Sequence, residues 1–260
     1  MRLIVFTDLD GTLLDHSDYS YDPARPALAA LKARGIPLIL ASSKTAAEIL
    51  PLHQELGLGD APMIVENGAE RVSPGAAATD RTAYDRLRGI LDTLPEDLRA
   101  PFRGFGDMST AEVAEITGLP PASAALARQR NFSEPGLWQG TDAQRDAFLA
   151  ALAAQGVLAR SGGRFLTLSF GGTKAQQMAG IMADLGADTA IALGDAPNDV
   201  EMLESADYGV ILRNDHGKGI PALPGEDSGR IARTTEPGPK GWNIAVLALL
   251  DRLGRNGRAE

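Results

Sequence analysis

Short apolar runs alternate with helical segments at both ends of this chain, and that alternation limits the folds open to it. Apolar residues three and four positions apart predict helices between the runs, as in "DPARPALAALKARG" and "AQQMAGIMADLG". Strands that alternate with helices form parallel sheets with right-handed crossovers. We therefore predict an α/β fold with a parallel sheet, whose strands are the runs "LIVF", "IPLILA", "PMIVENG", "TAIALG" and "YGVIL".

The alternation loosens in the middle of the chain. Residues 82–171 hold helical pieces such as "YDRLRGILDTL", with possible strands at "RNFSEPGLW" and "RFLTLSF". This pattern is typical of an inserted α+β module, and the first pattern resumes after it. We predict two domains, in which residues 1–81 and 172–260 form a core and residues 82–171 form the insert.

Composition excludes several classes of function. The net charge of -9 argues against a broad surface for nucleic acid or an anionic membrane. The chain has no cysteine, which excludes disulfides, thiolate zinc sites and cysteine nucleophiles and fits a cytoplasmic location. No apolar run approaches the roughly 20 residues that a membrane span needs. We expect a cytoplasmic protein with a small-molecule substrate, and the sequence leaves its oligomeric state open.

Polar side chains cluster where four predicted strands or loops reach one edge of the sheet. Parallel α/β sheets bind ligands at the carboxyl ends of their strands. Each group has an ordinary structural explanation when taken alone: Asp-Gly makes turns, Ser42 or Ser43 can start a helix, and Asn198 can cap one. Their conjunction favours a site made of Asp8 and Asp10 in "DLDGT", Ser42 in "ASSKT", Lys174 in "GGTKA", and Asp195, Asn198 and Asp199 in "GDAPND".

These residue types suffice for phosphoryl transfer. One carboxylate can attack phosphorus, and a second can act as general acid and then general base. Further carboxylates can hold Mg²⁺, which prefers oxygen ligands, while a hydroxyl and a lysine neutralise phosphate oxygens. A cation and Lys174 would also offset the repulsion between the carboxylates of Asp8 and Asp10.

The four motifs, in this order and spacing, resemble those of haloacid dehalogenase superfamily phosphatases. The resemblance implies that Asp8 is the nucleophile, that Asp10 is the acid and base, and that Ser42 and Lys174 bind phosphate. It implies an Mg²⁺ ion held by Asp8, the backbone carbonyl of Asp10 and Asp195, with Asn198 or Asp199 in support. The long insert after "IVENGA" is similar to the large α/β cap of the Cof-type branch.

Four further segments resemble the mannosyl-3-phosphoglycerate phosphatase subfamily: "SSKTAAEI", "VENGA", "TGLPPASAALARQRNFSEP" and "GPKGWN". That likeness implies a role in mannosylglycerate biosynthesis. A substrate with a glycerate carboxylate needs a cation outside the core motifs, and arginine suits it. Helix-end or surface roles explain such arginines equally well. The predicted substrate-binding residues are Ser43, Lys44, Glu66, Asn67, Arg128, Arg130, Ser133 and Arg164.

The leading prediction is therefore an Mg²⁺-dependent phosphatase that converts mannosyl-3-phosphoglycerate to mannosylglycerate. Phosphatases for glucosyl-3-phosphoglycerate or sucrose phosphate are alternatives within the same class. A phosphomutase is disfavoured, because mutases of this superfamily usually carry a smaller cap elsewhere. A non-catalytic phosphosugar sensor is the alternative from another class, and the Asp8 and Asp10 pair speaks against it, since a sensor needs no nucleophile.

Overall fold

The computed structural model describes residues 1–76, 80–162, 164–217 and 219–256. Two compact units make up the chain. Unit 1 contains residues 1–42, 58–64 and 174–260, and unit 2 contains residues 43–57 and 65–173. Among the described residues, no helix has both the length and the apolar character needed to cross a membrane.

The strands are numbered in chain order. They are β1 (Leu3–Thr7), β2 (Leu38–Leu40), β3 (Met63–Val65), β4 (Glu70–Val72), β5 (Phe102–Gly104), β6 (Ser133–Trp138), β7 (Leu158–Gly162), β8 (Phe165–Ser169), β9 (Thr189–Gly194), β10 (Tyr208–Arg213) and β11 (Ile231–Pro237).

The helices are numbered in the same way, and short 3₁₀ turns are left without labels. They are α1 (Arg25–Ala33), α2 (Ala46–Glu55), α3 (Thr82–Thr93), α4 (Glu96–Arg99), α5 (Thr110–Thr117), α6 (Pro121–Ala127), α7 (Asp142–Ala153), α8 (Lys174–Leu185), α9 (Val200–Ser205), α10 (Pro224–Asp227) and α11 (Gly238–Asn256).

Unit 1 is built on a parallel five-stranded sheet in the order β11-β10-β9-β1-β2. In β1, Val5 lies opposite Leu38 of β2 and opposite Ile191 of β9. Strands β1, β2 and β9 are short apolar runs because helices cover parallel sheets on both faces. Side chains that share one core include Ile4, Phe6, Ile39, Met178, Ile181, Ala192, Leu203 and Ile211. This unit confirms the predicted α/β fold with a parallel central sheet. The predicted strand "PMIVENG" forms β3, which is not one of the five strands of this sheet, and β11 is the fifth strand instead.

Unit 2 contains an antiparallel sheet in the order β5-β6-β8-β7. Helices α3 and α7 pack on it through a core that contains Leu87, Leu91, Phe102, Phe148, Leu152 and Leu168. A smaller cluster lies around Phe105, Met108, Val113 and Ala124. Both sequence-predicted strands in this region are present, as β6 and β8, and the structure adds β5 and β7.

The predicted core is larger than unit 1. Residues 43–57, 65–81 and 172–173, which the sequence assigned to the core, group with unit 2. Helix α2 illustrates why, since the Thr45 hydroxyl at its start donates to the carbonyl of Leu126 at 3.0 Å. The boundaries at 81/82 and 171/172 stay a prediction, and the last four residues of the predicted core lie outside the described residues.

Candidate active site

The site begins at the end of β1, the strand that lies between β9 and β2. Asp8 follows this strand directly, and its backbone N–H donates to the carbonyl of Leu193 on β9 at 2.9 Å. Asp8 is buried although it is an aspartate. Sheet pairing thus carries a carboxylate to the carboxyl edge of the sheet, where it needs a partner.

Lys174 is that partner. It is the first residue of α8, and it is only 2% exposed. Its Nζ donates to Asp8 Oδ1 and to Asp199 Oδ1, both at 2.7 Å. One buried cation therefore bridges two buried carboxylates, an arrangement in which charge-assisted hydrogen bonds offset the cost of burial.

The turn after β9 supplies the other carboxylates. Asp199 is fully buried, and its Oδ2 accepts the backbone N–H groups of Asp195 and Ala196 at 3.1 Å each. A Cβ atom at Gly194 would lie 2.4 Å from Cβ of Asp199, so this turn needs glycine there. The turn folds back on itself and brings Asp195 and Asp199 to the same edge.

Asp195 is held by two side chains. Thr12 Oγ1 donates to Asp195 Oδ1 at 3.0 Å, and Asn214 Nδ2 donates to Asp195 Oδ2 at 2.7 Å. Gly11 has a φ of +75°, and a Cβ there would lie 2.7 Å from Asp195 Oδ2. The Asp-Gly turn after β1 is therefore required both by its conformation and by the close approach of Asp195.

The electrostatics of the cluster favour a bound cation. Burial raises the pKa of Asp8 well above its ordinary value, and the charges of Asp199 and Asp195 add to this against the effect of Lys174. Burial and Asp199 raise the pKa of Asp195 to about 6. Burial lowers the pKa of Lys174, but Asp199 and Asp8 outweigh it, so the lysine pKa is raised and the ammonium form persists.

Three carboxylates fit a divalent metal ion. Asp8, Asp195 and Asp199 each offer one oxygen, and these oxygens lie within 4.8 Å of one another. Hard oxygen ligands of this kind suit Mg²⁺ better than softer metals, which favour nitrogen or sulfur. Because burial and the neighbouring carboxylates raise the pKa values of Asp8 and Asp195, a cation bound here would stabilise their ionised forms.

A profile of the haloacid dehalogenase-like hydrolase family matches residues 5–85 and 155–219, which is more than half of the chain. The chain belongs to this family of hydrolases. The matched residues contain all four groups of the candidate site, from Asp8 to Asp199.

Solved structures share this fold at low sequence identity. A haloacid dehalogenase-like hydrolase from Bacteroides thetaiotaomicron has a TM-score of 0.69 at 21% identity, covering 96% of this chain and 100% of that one. The sucrose-phosphatase from Synechocystis sp. PCC6803, solved with sucrose and phosphate, has a TM-score of 0.61 at 18% identity, with 95% and 97% covered. A HAD subclass IIB sugar phosphatase has a TM-score of 0.63 at 18% identity, with 96% and 98% covered.

The remaining predicted core residues lie in unit 1 as well. Ser42 is buried directly after β2, and its backbone N–H donates to the carbonyl of Ile64 at 2.9 Å. Asp10 lies in the turn after β1, and its charge contributes to the raised pKa of Asp195. Asn198 is exposed in the 3₁₀ turn Pro197–Asp199, whereas Asp199 points into the cluster. The roles predicted for these residues stay predictions.

The predicted substrate-binding residues fall in unit 2, and several have structural partners there. The carboxylate of Glu66 is buried and accepts the N–H groups of Asn131 and Phe132 and the hydroxyl of Ser133. The backbone N–H of Glu66 donates to the carbonyl of Lys44 at 2.9 Å. Asn67 follows with a φ of +62°, in the left-handed region that asparagine tolerates better than most residues.

The three arginines differ in environment. Arg130 is buried and donates to the carbonyls of Ala127 and Ser43. Arg128 is half-buried, and its guanidinium donates to the Thr110 hydroxyl at 3.1 Å. Arg164 is exposed and stacks on the ring of Phe165. Arg130 therefore has a structural role, since it joins the segment around Ser43 to the segment around Ala127. Its predicted contact with substrate stays a prediction.

Sequence reasoning missed two residues that shape the site, Thr12 and Asn214. Thr12 is the last residue of "DLDGT", so its position in that motif could have indicated that its hydroxyl contacts the site. Asn214 occurs in "RNDHG", which reads as an ordinary turn. Trp242 of "GPKGWN" is fully buried, and its Nε1 donates to the Thr7 hydroxyl next to Asp8, so it packs beneath the site.

Proposed function

We propose that this haloacid dehalogenase-like hydrolase is an Mg²⁺-dependent phosphatase that acts through an aspartyl-phosphate. The observation that carries the proposal is the buried group formed by Lys174 with Asp8, Asp195 and Asp199. A carboxylate nucleophile alone would also serve other hydrolases of this fold. A lysine and a binding site for a divalent cation are needed when the nucleophile attacks a charged phosphate, because the cations stabilise the negative charge on its oxygens.

Asp8 is the proposed nucleophile because Lys174 holds its Oδ1, which leaves Oδ2 to attack phosphorus. The Oδ2–P bond forms as the bond from phosphorus to the ester oxygen breaks. Lys174 stabilises the charge that develops on the phosphoryl oxygens. Asp10, two residues further on, donates a proton to the leaving alcohol, which neutralises the alkoxide as it departs.

Hydrolysis of the aspartyl-phosphate reverses the role of Asp10. Its carboxylate, now deprotonated, takes a proton from a water molecule that attacks phosphorus. Phosphate leaves, and Asp8 is restored. Asp8 and Asp195, with the backbone carbonyl of Asp10 and support from Asp199 or Asn198, would hold Mg²⁺. When bound, the ion supplies positive charge to the phosphate oxygens and orients them for in-line attack.

We further propose a phosphorylated sugar acid as substrate, with mannosyl-3-phosphoglycerate as the leading candidate. The support is the set of segments that resemble that phosphatase subfamily. Three of them are joined within unit 2, where Arg130 of "RQRNFS" bonds to Ser43 of "SSKT" and Glu66 of "VENG" bonds to residues 131–133. In this proposal the insert is a Cof-type cap, consistent with the fold similarity to a subclass IIB sugar phosphatase.

Other sugar phosphates remain alternatives, and one of them has separate support. The fold is similar to that of a sucrose-phosphatase over nearly the whole chain. The test is to measure kcat/KM for mannosyl-3-phosphoglycerate, glucosyl-3-phosphoglycerate, sucrose phosphate and an aryl phosphate with Mg²⁺ present. Preference for mannosyl-3-phosphoglycerate over the aryl phosphate supports the subfamily. If the aryl phosphate is turned over and mannosyl-3-phosphoglycerate is not preferred, the phosphatase activity is supported and the subfamily assignment is rejected. If no substrate is turned over, both are rejected.

The arginines allow a sharper test of the glycerate carboxylate. Arg128→Ala, Arg130→Ala and Arg164→Ala are compared on mannosyl-3-phosphoglycerate and on the aryl phosphate, which lacks the carboxylate. Losing a buried pair between arginine and carboxylate costs roughly 2–5 kcal/mol, so a specificity residue loses at least about 30-fold in kcat/KM on the first substrate only. Substitution of an arginine that acts only on the fold lowers kcat/KM equally for both substrates, or for neither.

A cytoplasmic location, expected from the absence of cysteine, stays a prediction.

A further inference from the structure

Asn214 lies one residue after β10 and connects a surface turn to the acidic cluster, all within unit 1. Its Nδ2 donates to Asp195 Oδ2 at 2.7 Å and lies 3.4 Å from the backbone carbonyl oxygen of the same residue. Its Oδ1 accepts the backbone N–H groups of His216 at 2.8 Å and Gly217 at 2.7 Å. The side chain is half-buried.

The surroundings of Asn214 fix which end of its amide faces Asp195. Two backbone N–H groups point at one end, and these can only donate, so an oxygen must lie there. A carboxylate faces the other end, and it can only accept while it is ionised, so the NH₂ group must lie there. Exchanging the two ends would break three hydrogen bonds, and the turn at residues 214–217 therefore presents a fixed donor to Asp195.

Thr12 completes the restraint from the other side. It is fully buried, and its hydroxyl donates to Asp195 Oδ1. Each carboxylate oxygen of Asp195 thus receives one hydrogen bond from a side chain that the fold holds in place. This matters because burial and the nearby charges of Asp199 and Asp10 destabilise the ionised carboxylate of Asp195 in the cluster. Without both donors, rotation of the carboxylate would relieve the repulsion.

We propose that Asn214 is a positioning residue, which holds the Asp195 carboxylate in the orientation that receives the metal ion. Hydrogen-bond partners of metal ligands fix the ligand's orientation, and losing one weakens metal binding about 10–100-fold. The inference rests on the cation site of the proposed function, but it does not depend on which substrate is cleaved or whether one is cleaved.

The first test measures Mg²⁺ binding by isothermal titration calorimetry on the full chain, without substrate. Asn214→Ala is expected to raise the dissociation constant for Mg²⁺ at least about tenfold. The matched control is Asn243→Ala, which removes an asparagine of unit 1 whose Oδ1 accepts the N–H of Ala27 in α1. The control is expected to bind Mg²⁺ as the wild type does.

The second test separates the bond to Asp195 from the bonds to the turn. Asn214→Asp keeps an oxygen that accepts the N–H groups of His216 and Gly217, but it places a second oxygen against Asp195 Oδ2. In chelator at neutral pH, the unfolding equilibrium constant of this variant is expected to rise about tenfold or more, the scale of one lost hydrogen bond to a charged group. A residue that only held the turn would leave the constant unchanged.

Three results would overturn the proposal: Mg²⁺ binding by Asn214→Ala within threefold of wild type, metal-free stability of Asn214→Asp equal to wild type, or no Mg²⁺ binding by the wild type. A wild type that binds Mg²⁺ but hydrolyses no phosphate ester refutes the proposed function instead. In that case the predicted losses in the two variants still support the positioning role of Asn214.

Discussion

At the scale of single residues, the site is defined by how each buried carboxylate is compensated. Asp8 and Asp199 share the ammonium group of Lys174, and Asp195 has two neutral donors and no cation among the hydrogen bonds described above. Neutral donors offset less of the cost of a buried charge than a cation does. Burial and the charge of Asp199 raise the pKa of Asp195, and a metal ion bound beside its carboxylate would offset both effects.

The role of Asp10 can be tested by a substitution that removes its proton transfer and little else. Asp10→Asn keeps the size and the backbone carbonyl of the residue, and it is expected to slow turnover by about 10²–10⁴-fold, the usual contribution of general acid–base catalysis. The measurement is kcat/KM, which reports formation of the aspartyl-phosphate and not its hydrolysis, for substrates whose leaving alcohols differ in pKa. The deficit should shrink for good leaving groups such as nitrophenol, since these need no proton. An equal deficit for every leaving group would contradict the role of Asp10 as an acid.

Asp195 predicts a pH dependence of stability in the metal-free protein. Its folded pKa of about 6 lies above the ordinary value of 3.8, so the folded state binds more protons between these values. Stability in chelator should therefore fall as the pH rises from about 4 to 6, and Asp195 contributes up to about 2–3 kcal/mol to that fall. Asp195→Asn, whose amide can still accept from Asn214, should unfold at higher urea concentration than the wild type at pH 7.

The comparison of wild type with Asp195→Asn has an internal check, because Mg²⁺ should make the wild type the more stable of the two proteins. With the ion present, the wild type gains stability from binding, and Asp195→Asn gains far less. At pH 4 without metal the two proteins should differ little. Equal stability of the two proteins in chelator at pH 7 would show that Asp195 carries no electrostatic cost there.

At the scale of elements, the start of α2 combines a helix cap with a long-range contact. Thr45 and Glu48 form the predicted capping box, and the Thr45 hydroxyl also donates to the carbonyl of Leu126. Thr45→Val keeps the shape but removes both bonds, and it should cost about 1 kcal/mol for the cap and about 1 more for the second bond. Urea unfolding of Thr45→Val measures the sum.

Thr141→Val provides the matched control for that prediction. Thr141 starts α7 with its own capping box to Gln144, and it is exposed. Its substitution should therefore cost only the cap, about 1 kcal/mol. If the two variants lost the same stability, the bond between Thr45 and Leu126 would contribute nothing measurable.

The same elements show how far the sequence could be interpreted. The apolar strands of unit 1 were predictable because strands buried on both faces must be continuously apolar. β11 was missed because its sequence, "IARTTEP", is polar and mostly exposed at the edge of the sheet. β7, with the sequence "LARSG", lies at the edge of its own sheet and lacks the alternation that marks a strand.

The site shows the same division between local and long-range information. Asp8, Lys174, Asp195 and Asp199 were predictable because each stands beside a recognisable strand or helix. The bond from Asn214 to Asp195 joins residues 19 positions apart through a turn of common composition, and the bond from Thr45 to Leu126 spans 81 positions. No local pattern contains such pairings, since they depend on where the fold brings two loops together.

At the scale of the whole molecule, the net charge of -9 disfavours the binding of an anionic substrate. A phosphorylated substrate is repelled by the overall charge, so attraction must come from local cations. Lys174 supplies one of them, and in our proposal Mg²⁺ supplies the other. Unit 2 is proposed to choose among phosphate esters, because the roles proposed for the core-motif residues concern only the phosphate and the leaving oxygen.

The metal requirement is a prediction about the intact protein. Chelator should abolish phosphatase activity, and added Mg²⁺ should restore it fully. Ca²⁺ should bind but inhibit, because its looser and higher coordination disturbs in-line attack. The measurement is aryl phosphate turnover across a titration of each ion. Full activity in chelator would refute the proposed role of the Asp8, Asp195 and Asp199 cluster.

The central claim is that Asp8 attacks phosphorus, and the turnover of Asp8→Asn tests it most directly. An amide cannot form the phosphorylated intermediate, while its oxygen can still accept the hydrogen bond from Lys174, so the fold should persist. The measurement is phosphate release from an aryl phosphate at saturating Mg²⁺, in protein whose circular dichroism and urea unfolding match a folded wild type. The account predicts no release above the uncatalysed rate. Turnover near that of the wild type would show that Asp8 is not the nucleophile.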